Sequence, residues 1–83
     1  MDEDVRALFG ERLRELRRAR QLSQEELAFR SGLTQTYVSQ VEKGQRNISL
    51  RNIARLAKAL EVYLRCLMPE ETNLRDSPPS NDA

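Results

Sequence analysis

Apolar residues return at steps of three and four along most of this chain. That spacing lines one face of an α-helix, so the pattern predicts an all-α fold. Val5, Leu8, Phe9, Leu13 and Leu16 make the first stripe and predict a helix from Val5 to Arg20. Asp2 or Asp4 can cap its start, where a carboxylate meets the positive end of the helix dipole. Gly10 falls inside this helix, at a cost of about 1 kcal/mol relative to alanine that the stripe can absorb.

Polar punctuation sets the next elements. In SQEELAFRSG, Ser23 and Glu26 have the spacing of a capping box and predict a second helix from Gln24 to about Ser31, with Gly32 taking the left-handed turn that ends it. Thr34 caps a third helix, Gln35 to Lys43, closed by Gly44, with Val38 and Val41 facing inward and Leu33 filling the turn. Helices this short, joined by so few residues, must cross steeply, which is a helix-turn-helix arrangement. Ala28 is small where they pass closest, and Leu27, Leu33, Val38 and Val41 form the wedge between them.

Ser49 caps a fourth helix whose stripe is Leu50, Ile53, Leu56, Ala57 and Leu60. Leu64 to Met68 is apolar enough for one further short helix, although Tyr63 is a poor cap, and Pro69 stops it. The stretch EETNLRDSPPSNDA has Leu74 and Ala83 as its only apolar residues and is expected to be a flexible tail. The expectation is therefore a compact five-helix domain over residues 1–69 followed by a tail over 70–83.

Length and composition narrow the function classes. A chain of 83 residues builds one modest core and leaves little room for a large substrate cleft. No apolar run approaches the roughly 18 residues that cross a bilayer, and MDEDVRALFG does not resemble a signal peptide, so the expected location is the cytoplasm, away from any membrane. With Cys66 the only cysteine and no histidine, an intrachain disulfide and the usual zinc ligand sets are excluded, and no cofactor or metal is expected. Cys66 reads as a small core hydrophobe rather than a nucleophile, because no histidine base stands by to activate it. The net charge of +1 hides an asymmetry: residues 5–69 carry 13 of the 14 Lys and Arg but 6 of the 13 acids, a net of +7. Arginine supplies 12 of the 14 cations, and its planar fork suits phosphate.

The runs SQEELA, SGLT, YVSQVEKG and IARLAKALEV together resemble the Cro and phage-repressor (XRE) type helix-turn-helix family over roughly residues 5–68. The resemblance implies five short helices in a lambda-repressor-like domain that binds operator DNA as a homodimer. TYVS and QVEKGQRNISL are further similar to the controller proteins of restriction-modification systems. Those controllers often carry arginine where this chain has Gln35, which implies a different operator or a different regulatory role. It also implies a structural ion pair between Arg17 and Glu42 across the first and third helices.

In this fold the start of the third helix enters the major groove and presents Gln35, Thr36, Ser39 and Gln40 to base edges. Glutamine can pair bidentately with adenine, and the threonine methyl can pack on thymine. Gln24, Tyr37, Lys43, Arg46 and Asn47, and more weakly Arg51, are placed to contact phosphates and supply salt-sensitive affinity. Tyr63, Leu64, Leu67 and Met68 would form a dimer interface or simply close the core. The competing function is a protein-interaction module of antitoxin or adaptor type on the same helices. An enzyme is the poorest option, since no nucleophile with its base, phosphate-cradling glycine loop or metal ligand set is present.

Overall fold

A computed structural model describes residues 4–69. They form five α-helices: α1 (Val5–Ala19), α2 (Gln24–Ser31), α3 (Gln35–Glu42), α4 (Leu50–Leu60) and α5 (Leu64–Leu67). The expected tail, and Asp2 as a cap, lie outside the described residues.

Local chemistry explains where the helices begin. Asp4 accepts from the Arg6 backbone N–H at 2.9 Å. Hydrogen bonds from the Arg6 side chain and backbone hold the Asp4 carboxyl below its ordinary pKa. Ser23 Oγ accepts from Glu26 N at 2.9 Å while Ser23 N donates to Glu26 Oε1 at 2.8 Å, completing the capping box of α2. Thr34 and Ser49 cap α3 and α4 through the N–H groups of Tyr37 and Asn52, each at 3.1 Å. Each such cap stabilises its helix by about 1 kcal/mol. Tyr63 makes no side-chain cap for α5. Gly32 and Gly44 both take φ of 75°, where a side chain is disfavoured.

The core contains Phe9, Leu13, Leu22, Leu27, Ala28, Val38, Val41, Ile53, Leu56, Ala57, Leu60 and Leu67. α2 and α3 pack against each other, α1 crosses α3, α4 packs on α2, and α5 docks on α1 and α4. Arg12 fastens that last contact by donating from Nε to the Cys66 carbonyl at 2.8 Å.

Four expectations are corrected. Val5 and Leu50, assigned to core stripes, are 52% and 73% exposed. Each is the first residue of its helix, and the buried part of the stripe begins further along, at Phe9 in α1 and Ile53 in α4. Leu67 is 0% exposed and belongs to the core rather than to a surface that another chain could cover. Gly10 is not merely tolerated: a Cβ there would lie 2.5 Å from the carbonyl oxygens of both Val41 and Glu42. The missing side chain is what lets α1 lie against the end of α3.

Candidate nucleic-acid interface

α3 divides its side chains cleanly between two sides. Val38 and Val41 point into the core with Glu42, while Gln35 and Thr36 are exposed and Ser39 and Gln40 half-exposed. These four line an open depression together with Lys43 and Gln45. All four expected base-reading residues therefore share one surface, bordered by a cation. Gln45 joins them because the left-handed Gly44 turns the chain back, so that Gln45 N donates to the Gln40 carbonyl at 2.9 Å.

Beyond the depression, Arg46 reaches back over α3. Its Nη1 donates to Gln40 Oε1 at 2.9 Å, and its guanidinium lies 4.8 Å from the centroid of the Tyr37 ring. Asn52 on α4 donates from Nδ2 to the Tyr37 hydroxyl at 3.1 Å. Asn47 and Arg51 are exposed nearby in sequence, as contacts to an outside polyanion require. Gln24 differs from a free surface amide, because its Nε2 donates to Glu42 Oε1 at 3.0 Å. A primary amide has a second N–H, which leaves Gln24 one donor for another acceptor.

The inner side of α3 holds the ion pair. Arg17 Nε donates to Glu42 Oε2 at 2.6 Å and Nη2 to Oε1 at 3.0 Å, a forked pair whose third arm, Nη1, reaches the Leu22 carbonyl at 2.8 Å. Both residues are buried, and Gln24 adds a further donor to the carboxylate. Such a pair gives little net stability over apolar residues of the same shape but is strongly destabilising to break. Its role here is to fix α1 against α3.

A family model described as helix-turn-helix matches residues 13–65, more than half of the chain. The chain belongs to the helix-turn-helix family. Control protein C.BamHI from Bacillus amyloliquefaciens is 44% identical over 69 residues, which span 82% of this chain and 85% of that one. The restriction-modification controller protein C.AhdI from Aeromonas hydrophila is similar in structure, with a TM-score of 0.75 and 59% identity over 76% of this chain and 96% of that one. A hypothetical transcription factor from Neisseria aligns with a TM-score of 0.77 and 41% identity, covering 89% of this chain and 86% of the other. The XRE-type resemblance read from SQEELA, SGLT and YVSQVEKG is thus upheld. By family this is a DNA-binding transcription regulator, not an enzyme.

Within this helix-turn-helix unit, sequence reasoning missed Gln45 and Asn52. Gln45 carried a signal, since the residue after a left-handed glycine is returned toward the helix it follows. Asn52 carried none, because its partner Tyr37 comes from another helix. Among the described residues no helix is long and apolar enough to cross a membrane.

Proposed function

We propose that this regulator binds a pseudo-palindromic operator as a homodimer, with α3 of each protomer in the major groove. The observation that carries the proposal is the shared depression: Gln35, Thr36, Ser39 and Gln40 present neutral donors and acceptors on one surface, with Lys43 at its edge. Neutral amides and hydroxyls discriminate between base edges, while cations beside them attach to phosphate whatever the sequence. Lys43, Arg46, Asn47 and Arg51, with Tyr37 and the remaining N–H of Gln24, supply that second set. The likeness to a control protein and to a restriction-modification controller protein supports a controller role.

A single module of this size has too little interface to pick out a rare site, which favours two half-sites read together. The face that supports dimerisation is Tyr63, Leu64 and Met68, which stay exposed around the docked α5 at 69%, 43% and 44%. Two recognition helices so joined would sit about 34 Å apart, one turn of B-DNA.

Selection of bound duplexes from a randomised DNA pool tests this reading. The expected product is a pair of inverted half-sites whose centres lie about one helical turn apart, bound with an affinity that falls steeply with salt. Enrichment of no sequence, with binding indifferent to salt, would refute it. For the dimer, Tyr63→Glu combined with Met68→Glu should give a folded monomer in sedimentation at about ten micromolar, where the unaltered chain is dimeric. An unaltered chain that sediments as a monomer there would remove the two-half-site proposal.

A further inference from the structure

The contact between Arg46 and Gln40 ties together two residues that sequence reasoning had given separate tasks. A glutamine carboxamide has an acceptor end and a donor end, and rotation by half a turn exchanges them. Free in solvent, the group presents either end to a base. Here the Arg46 guanidinium occupies one lone pair of Gln40 Oε1 at 2.9 Å. A flipped amide would turn its N–H groups toward that same guanidinium, donor against donor, so the flip is opposed electrostatically.

Arg46 is itself braced. Its guanidinium lies over the face of Tyr37, whose ring quadrupole attracts a cation. The Tyr37 hydroxyl accepts from Asn52 on α4. Asn52 in turn sits in the capped first turn of that helix, its backbone N–H donating to Ser49 Oγ. The line of contacts therefore runs from the start of α4, across the ring on α3, through the loop arginine and back to the amide that faces the depression.

We propose that Arg46 is a positioning residue for base selection: by holding Gln40 Oε1 it fixes which end of the carboxamide meets the DNA. The inference rests on the reading of α3 as the recognition helix. Oε1 keeps its second lone pair and Nε2 its two N–H groups, the complement of the donor and acceptor on the major-groove edge of adenine. A held amide reads that edge in one orientation only. An arginine that touches phosphate alone would strengthen every sequence alike and do nothing for selectivity.

The experiment uses the full chain, a duplex selected by it from a randomised pool, and a scrambled duplex of the same length. Gln40→Ala, Arg46→Ala, Arg46→Lys and the Gln40→Ala/Arg46→Ala pair are measured on both across a range of salt. The expected result is that Gln40→Ala and Arg46→Ala relax preference at the same base pair of each half-site, by about 5- to 150-fold, and that the double variant relaxes it no further. Arg46→Lys should keep the salt slope, since the charge remains, yet lose part of that preference, since a lysine cannot both lie flat over Tyr37 and hold the amide in a planar fork. Two results would overturn the proposal. If Arg46→Ala weakens both duplexes by one factor and lowers the salt slope by about 1 while preference at the Gln40 position persists, Arg46 is a phosphate contact and α3 still reads DNA. If Gln40→Ala itself changes no preference at any position, Gln40 reads no base and the positioning role fails, whereas a parent chain that prefers the selected duplex no more than the scrambled one removes the reading of α3 as well. Arg46 is exposed, so retained helical circular dichroism in its variants is expected and separates either result from unfolding.

Discussion

The two sides of α3 are held by different physics, although they share eight residues. The inner side is fixed by clearance and burial: Gly10 admits the carbonyls of Val41 and Glu42, and the forked Arg17–Glu42 pair leaves no charge unmatched. The outer side is held mainly by contacts near the surface, Arg46 on Gln40 and on Tyr37 and Asn52 on the Tyr37 hydroxyl. Errors on the inner side have nowhere to relax, whereas outer groups can change chemistry and leave the backbone alone. Such a division lets one short helix be rigid as a scaffold and variable on its exposed side.

Breaking the inner side should have the largest effect. Glu42→Gln leaves the Arg17 guanidinium buried without its counter-charge and should lower unfolding free energy by about 3–5 kcal/mol in urea titration. Replacing both partners with apolar residues of similar volume should recover most of that loss. Gly10→Ala comes next at about 3 kcal/mol, because the new methyl meets two backbone carbonyls that cannot rotate away. A Gly10→Ala chain as stable as the parent, or more so through better helix propensity, would mean that α1 slides on α3 at little cost.

On the outer side, Gln40→Ala should leave the unfolding free energy from urea titration within about 0.5 kcal/mol of the parent while weakening binding to a selected duplex by about 1–3 kcal/mol. A large loss of stability in that variant would erase the distinction between the two sides. The smallest effect is expected at the cap of α2, which belongs to neither. The Glu26 carboxyl is held below its ordinary pKa because it accepts the Ser23 backbone N–H, with the Ser23 hydroxyl adding to the shift. A carboxyl depressed in the folded state stabilises above its unfolded pKa, and that contribution disappears as pH falls through the folded value. Glu26→Gln should therefore be slightly less stable than the parent near neutrality and converge with it as pH falls below about 4.5, as thermal melts across that range will reveal.

The features legible in sequence are those that neighbours along the chain decide. Ser23, Thr34 and Ser49 announce three helix starts because a cap and its N–H lie within a few residues, and Gly32 announces a helix end for the same reason. That Gln35, Thr36, Ser39 and Gln40 share one surface is legible because helical geometry alone puts them on one side. What escaped was set by partners distant in sequence. Gly10 looked like a defect until the carbonyls of α3 were placed against it, and Leu67 stood open between a dimer face and the core until α1 and α4 closed around it. The grip of Arg46 on Gln40 depends on side-chain rotamers and on the turn at Gly44, neither of which hydrophobic periodicity encodes.

The hydrogen bond from Arg12 to the Cys66 carbonyl joins residues 54 apart. α2 and α3 need only a short turn to meet, but α5 has four residues and no side-chain cap of its own. Its order depends on burying Leu67 and on finding Arg12 near the other end of the domain. Contacts that close so long a loop form late, after nearer ones have been rewarded. The exposed edge of Tyr63, Leu64 and Met68 is thus expected to be the last surface built. A half-folded chain, or one still emerging from the ribosome, would then lack the edge through which the proposed homodimer pairs.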